Sequence, residues 1–396
     1  MAAGLGLLLL LGQTPLQGQV YKIAPDLQEV VRRQPETQVQ VLMVMQGRAA
    51  AESLHRSLSL HAAEAPPRLL WISRAVALRI AAGELTRLST VPGLEYIMTD
   101  APAFPDEASP PTPAAPVPNG SEPSLSLIRA DKLWKLGYTG AGRKVLVIDT
   151  GAETNHPALT ASYRGQQVPD SYAWYDPAGG TSIPNICEDH GLHVLGTIVG
   201  LDTATNDTIG VAFGAEWMAS PAICSGLTSY ILAALQWALD PDDNPATTDD
   251  RPDVINNSWR IVDVNNDCIS QLYKEAFTTI EEAGIAIVFS AGNSGPDPST
   301  ITPPKNLNIN LVNTFTVAAI NGTDLNLLDI SSRGPSACGG SGSLAIKPEV
   351  AAPGYLIRSC KPGTGYVRKT GTSMAAPLAS GAILLLKEAF PYLPGP

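Results

Sequence analysis

The sequence predicts an α/β protein, with a large domain around a mainly parallel sheet and a small α+β domain ahead of it. Three observations carry this. From about Leu125 onward, apolar runs without polar alternation alternate with helical patterns, as strands buried on both faces of a parallel sheet require. Between Pro102 and Pro123 eight prolines interrupt the chain, the mark of a linker between two regions of different pattern. A chain of 396 residues is also long enough for one large domain and one small one.

Taken in order, the opening "MAAGLGLLLLLGQTPLQGQ" holds an apolar run from Leu5 to Leu11 that is too short to span a bilayer. It fits the core of a secretory signal over residues 1–18, although no positive charge precedes it. No other segment reaches about 20 apolar residues, so no stable membrane insertion is expected. Residues 19–100 read as strand "QVQVLMV", helix "AAAESLHRSL", strand "ISRAVALRIA", helix "GELTRLST" and strand "GLEYIMTD", an order that suits a small α+β sandwich. Residues 101–124 are the linker, expected to hold neither ladder nor helix and to be extended and cleavable. Residues 125–396 form the large domain. Its strands are "KVLVID", "GAEWMASPAI", "PDVINNSW", "GIAIVFSAGN" and "TFTVAAI", and its helices "GLHVLGTIVG", "TSYILAALQWAL" and "ISQLYKEAFTTIEEAG".

Composition excludes several classes. With 44% hydrophobic and 16% charged residues the chain is an ordinary globular protein. Residues 1–100 carry nine Lys/Arg against eight Asp/Glu, and the remainder seventeen against twenty-nine. The larger part is therefore acidic, which argues against nucleic acid or an anionic membrane as a partner. None of the five cysteines (Cys187, Cys224, Cys268, Cys338, Cys360) forms a C-x-x-C pair, so a zinc site has little support. In an exported chain one or two disulfides are expected, with five buried unpaired cysteines as the other reading, and the sequence does not say which cysteines pair.

Chemistry concentrates in four stretches. "KVLVIDTG" ends an apolar strand on Asp149, at the carboxyl end where α/β folds bind ligands. D-T-G also opens an aspartic protease, but that needs a second carboxylate in a second D-T-G or D-S-G. There is no second copy: "LDTAT" at Leu201 lacks the glycine. The other reading of the acid is that it steers a histidine. His55 and His61 belong to the small domain, and His156 sits in an N-H-P turn where a structural role is expected. That leaves His190 and His193 in "EDHGLHVLGTIVG". Three apart on one helix, only one should face a cleft, and the positive end of the helix dipole should keep it neutral as a resting base. "KTGTSMAAPLASGAILLLKEAF" places Ser373 at the exposed mouth of a long apolar helix, with its own N–H aimed where an oxyanion would form. "IVFSAGNSGP" offers the Asn293 amide as a second oxyanion donor just past a buried strand. Alone, G-T-S reads better as an N-cap and A-G-N reads as a turn, and no single stretch is decisive.

Together, in the order D-T-G, H-G-x-H-V, A-G-N and G-T-S-M-A-x-P, they resemble the subtilisin-like serine proteases, whose chain order is Asp, His, Ser. The resemblance runs from about Leu125 to Pro396 and includes "IGVAFGAEWMA", "PDVINNSW" and "KPEVAAPG". "NHPALTASYRG", "WYD" and "INNSW" are most similar to the bacillopeptidase F branch. The resemblance implies a three-layer α/β domain and an endopeptidase acting on polypeptides. It implies Asp149 as triad acid, His190 as base, Ser373 as nucleophile and Asn293 as oxyanion donor, with His193 structural. It further implies that Ser258 and Trp259 pair with substrate backbone, with Gly226 on the facing strand, so that substrate binds as an added strand. The region 19–100 resembles the family's propeptide, an intramolecular chaperone and inhibitor, and self-cleavage is expected between about Asp100 and Glu122. No cofactor is required. Calcium is common in the family, but no D-x-D-x-D-G loop is present.

The chain departs from the family pattern at Leu192 and at "PLASG", neither of which supplies a catalytic atom, and at Arg260, where a glycine is usual. An arginine there either narrows a pocket or attracts acidic side chains. The chain stops 23 residues after Ser373, where the family continues with further helix, so a truncated and less stable domain is expected. The competing reading is a catalytically silent fold acting as a binding or inhibitory module.

Overall fold

The computed structural model describes residues 22–60, 66–106, 110–261, 271–307, 314–338 and 341–392. The expected signal, His61 and Cys268 lie outside these residues. The chain forms two units, Met1–Asp100 and Ala101–Pro396.

The first contains helix α1 (Pro25–Arg33), strand β1 (Gln38–Met45), helix α2 (Arg48–Ser59), strands β2 (Arg68–Leu70) and β3 (Ala75–Ala81), the short helix α3 (Leu85–Leu88) and strand β4 (Leu94–Thr99). The strands pair antiparallel in the order β2-β3-β1-β4. Val41, Met43 and Met45 of the central β1 pack with Leu27, Leu54 and Leu85 from the helices. Helix α1 was not expected from the sequence. Pro25 at its first position, Asp26 in its first turn and Arg32 and Arg33 in its last are its local signals.

In the second unit, strands β5 (Ala103–Pro105) and β6 (Thr112–Ala114) precede helices α4 (Pro123–Leu127) and α5 (Ala130–Lys135) and strand β7 (Lys144–Ile148). Helix α6 (His190–Val199), the short pair β8 (Leu201–Asp202) and β9 (Asp207–Thr208), and strand β10 (Glu216–Ser220) follow. Then come α7 (Ala222–Ser225), α8 (Thr228–Trp237), β11 (Val254–Asn257), β12 (Trp259–Ile261), α9 (Gln271–Glu282), β13 (Ala286–Ser290) and β14 (Phe315–Ile320). The unit closes with β15 (Val350–Pro353), β16 (Ile357–Cys360), β17 (Tyr366–Lys369) and α10 (Thr372–Ala389).

Six strands form one parallel sheet in the order β10-β7-β11-β13-β14-β15, which places the chain in the α/β class. Val145, Val147, Val254 and Val288 share one core with Val194, Leu195 and Ile198 of α6 and Met374, Leu378 and Leu384 of α10. Because successive strand residues face opposite ways, Leu146, Ile255, Ile287 and Phe289 serve the other face, where Phe277 of α9 meets Phe289 at 5.7 Å between ring centroids. Each such aliphatic side chain contributes about 1.5–3 kcal/mol by burial, so the unbroken apolar runs follow from having helices on both sides.

The linker is structured, against expectation. β5 pairs antiparallel with β12 in the register Trp259↔Pro105 and Ile261↔Ala103, and β6 pairs with β17. Proline does not prevent this, because the N–H groups of a strand alternate in direction. Ala103 donates to the Gly226 carbonyl at 2.5 Å and Asp106, on the other side, to the Ser258 carbonyl at 3.0 Å. Pro105 falls on the Ala103 side, so the bonds to β12 do not need its missing donor. Further along, Arg358 is fully buried and binds Asp207 through two nitrogens at 2.6 and 2.8 Å and Glu122 through a third. Asp207 also accepts from the Val117 N–H at 2.7 Å, which ties the end of the linker to this cluster.

Candidate active site

Asp149 ends β7 at the carboxyl edge of the sheet, and Asn293 follows β13 two strands away. The Asp149 side chain is fully buried. Its Oδ1 accepts from the Thr150 N–H at 2.8 Å and lies 2.8 Å from His190 Nδ1. A carboxylate only accepts, so Nδ1 carries the proton and Nε2 keeps its lone pair. Helix α6 starts close against the D-T-G turn: Thr150 Oγ1 donates to the Glu188 carbonyl and accepts from the Gly191 N–H, both at 2.9 Å. A β-carbon on Gly191 would lie 2.5 Å from the Gly151 carbonyl oxygen, which is why glycine must follow His190.

The electrostatics of His190 differ from expectation. Burial pushes its pKa down most, but the charge and hydrogen bond of Asp149, with help from Asp106, outweigh burial and the nearby Lys369 and leave it raised. The partner carboxylate thus opposes the lowering expected at a helix N-terminus, and the net direction is upward. His193, one turn on, is fully buried, contacts the Ile357 carbonyl at 3.0 Å through Nε2, and has its pKa pushed by burial to about 3. His156 accepts from the Ala158 N–H at Nδ1 and so donates from Nε2 to the Gly365 carbonyl at 3.0 Å, a structural arrangement. Lys369 pairs with Asp189 beside His190.

Ser373 is the second residue of α10. It is fully buried, whereas an exposed helix mouth was expected, because the chain's own residues 102–106 lie across it. Its Oγ donates to the Asp106 carbonyl at 3.5 Å, and among the described residues His190 Nε2 has no hydrogen-bond partner. Asn293 Oδ1 accepts from the Thr372 N–H at 3.0 Å and Thr372 Oγ1 at 2.9 Å, which turns its NH2 end toward the Gly371–Ser373 side. Ser258 and Gly226 hold the Asp106 and Ala103 backbones from opposite sides, and Trp259 stands opposite Pro105. The Trp259 indole points inward instead, onto Asn257 Oδ1 and the Phe289 ring.

The chain matches the subtilase family model over residues 140–395. It belongs to the subtilase family. This subtilase is 38% identical over 289 residues to bacillopeptidase F of Bacillus subtilis (strain 168), covering 68% of the chain but only 19% of that protein. It is 31% identical over 274 residues to subtilisin DY of Bacillus licheniformis, covering 68% of the chain and 85% of that protein. Fervidolysin from Fervidobacterium pennivorans, described as a keratinolytic enzyme related to subtilisin, shares its fold with a TM-score of 0.65 at 23% identity, over 92% of this chain and 56% of that one.

Sequence reasoning missed four residues of the subtilase site: Thr150, Thr372, Ser290 and Lys305. Lys305 had a signal, being the one charged residue between Asp297 and Asp324. Cys187 and Cys224 form a disulfide with Cα atoms 5.8 Å apart, and Cys360 is free and buried. The backbones beside the bridge hold the D-T-G segment, the Cys187 N–H on the Thr150 carbonyl at 3.1 Å and the Ile223 N–H on the Asp149 carbonyl at 3.2 Å. Among the described residues one acidic group, Asp240, Asp242 and Asp250, has carboxylate oxygens within 4.8 Å of one another and has the donor set for a hard divalent cation. No described helix is long and apolar enough to cross a membrane.

Proposed function

We propose that this subtilase is a secreted serine endopeptidase that hydrolyses polypeptides through Asp149, His190 and Ser373, with Asn293 as oxyanion donor. The observation that carries the reading is the chain's own segment 102–106. It enters the cleft as a strand between Gly226 and Ser258 and presents the Asp106 carbonyl to Ser373 Oγ. A cleft that takes an extended peptide, ends it on Ser373 Oγ and is lined by the Asp149-paired His190 is suited to acyl transfer. His190 takes the Ser373 proton as Oγ attacks. Asn293 donates to the oxyanion, and Asp149 holds the tautomer and stabilises the imidazolium. The seated Ser373 makes its bond to the peptide carbonyl and not to His190, and catalytic hydrogen bonds of this kind tighten only as the reaction proceeds.

Residues 19–100 would act as chaperone and inhibitor, released by a cut between about Asp100 and Glu122. Export is supported by the Cys187–Cys224 disulfide, a bond that persists in oxidising compartments. A fluorophosphonate probe tests the activity directly: folded wild-type protein is labelled at Ser373, whereas a silent binding module stays unlabelled. Retained processing in a purified Ser373→Ala precursor would show that the cut is made by another protease.

A further inference from the structure

The side chain of Asp106 has a destination. Its carboxylate, about 1% exposed, reaches into a pocket between β12 and the end of β13. Oδ2 there accepts from Lys305 Nζ at 2.6 Å and from Ser290 Oγ. Lys305 is itself about 1% exposed, and Arg260 stands close enough to act on its charge. The backbone fixes which residue this is: Asp106 N–H donates to Ser258 and its carbonyl faces Ser373, so Asp106 is the residue on the acyl side of the bond to be cut.

We propose that this pocket selects peptides with an acidic side chain on the acyl side of the cut, with Lys305 as counter-ion, and that the chain cuts itself between Asp106 and Glu107. The proposal rests on the endopeptidase reading and adds its substrate class. A buried ammonium without a counter-charge is costly, so an apolar side chain in this pocket would leave Lys305 unpaired and an amide would leave its charge uncompensated. An acidic side chain compensates it, and Ser290 satisfies the same carboxylate oxygen. Arg260, close enough to act on the Lys305 charge, adds a second positive charge of the same selectivity. In the self-cut, Ser373 Oγ bonds to the Asp106 carbonyl carbon while its proton passes to His190. The C–N bond to Glu107 breaks as His190 protonates the Glu107 nitrogen. Water, deprotonated by His190, then releases the Asp106 carboxylate and restores Ser373.

The test uses the full chain and its mature product, with fluorophosphonate labelling followed in parallel. N-terminal sequencing of the product should read from Glu107. Self-cleavage should slow by ~100-fold or more in Asp106→Leu and Asp106→Asn chains and persist in Asp106→Glu, because Leu leaves the buried ammonium unpaired and Asn leaves its charge without a counter-ion. On peptides differing only at the acyl-side position, Asp and Glu should exceed Leu, Asn and Lys by ~100-fold in kcat/KM, and Lys305→Met should erase that ratio. Labelled wild-type enzyme that cuts after Leu as readily as after Asp would overturn the proposal and leave the endopeptidase reading standing. A folded chain that is neither labelled nor cuts any peptide would overturn both. The wild-type ratio and the Asp106 series decide the matter even where Lys305→Met does not fold.

Discussion

His190 Nδ1 lies 2.8 Å from Asp149 Oδ1, with both side chains buried and the opposite ring nitrogen unpartnered among the described residues. Burial lowers the His190 pKa, Asp149 and Asp106 raise it, and Lys369 lowers it, with a net rise. In the proposed mechanism only neutral His190 accepts the Ser373 proton, so kcat/KM should increase with pH through an apparent pKa above 6.5. The Asp149→Asn enzyme should lose about 10⁴-fold in kcat, and its acid limb should move downward as burial takes over. Stability runs the other way. A folded-state pKa above the unfolded value means that the protonated pair stabilises the fold below about pH 6.5, a contribution lost as pH rises through the folded pKa. Denaturation of wild type and Asp149→Asn across this window should show the gap between them narrowing toward alkaline pH.

In the proposed mechanism Asn293 acts only once the oxyanion forms. Asn293→Leu should cost on the order of 10²–10³ in kcat, as the comparable loss does in subtilisin, with KM little changed. It also strands the Thr372 N–H and hydroxyl that Oδ1 now accepts, so a stability loss of about 1–3 kcal/mol should accompany it. Steady-state kinetics and urea denaturation separate the two; an equal rise in KM would point to substrate binding instead.

Arg358 compensates two buried carboxylates, Asp207 and Glu122. Arg358→Met should destabilise the second unit by about 3–5 kcal/mol, because both acids remain buried without a cation. Replacing Asp207 and Glu122 by Asn and Gln in the same chain should recover most of the loss in a thermal melt.

The Cys187–Cys224 bridge spans 37 residues of sequence and flanks the backbone that holds Asp149. Loop-closure entropy sets its contribution at about 4 kcal/mol at most. A Cys187→Ser/Cys224→Ser chain should melt earlier by about 2–4 kcal/mol equivalent. Activity below the melt should fall less than stability does; full inactivation of folded protein would mean that the bridge also shapes the catalytic turn.

Gly226 has φ of 62°, and a β-carbon there would lie 2.9 Å from the Ala103 carbonyl oxygen. Gly226→Ala adds about 1–2 kcal/mol of backbone strain and pushes back any strand in the cleft. KM should rise for peptides long enough to reach Gly226 and much less for single-residue esters. Equal effects on both would remove Gly226 from the binding cleft.

Much of this protein was legible in one dimension. Unbroken apolar runs announced strands covered on both faces, and five of the six strands of the parallel sheet lie in stretches read as strands from the sequence. The family's four motifs led to Asp149, His190, Asn293 and Ser373 because backbone needs, such as a glycine after His190, leave a local trace. Three things had no such trace. Proline content alone argued against strands in the linker, yet pairing depends on which way each N–H points, and only the register against β12 sets that. The protonation of His190 depends on a carboxylate 41 residues away, which only the tertiary structure brings to its ring. Lys305 stands out in sequence only as a lone charge in an uncharged stretch, and nothing local says what it faces. It becomes the floor of a pocket because the fold buries its ammonium and brings in a carboxylate from 199 residues earlier, and burial makes that single charge selective.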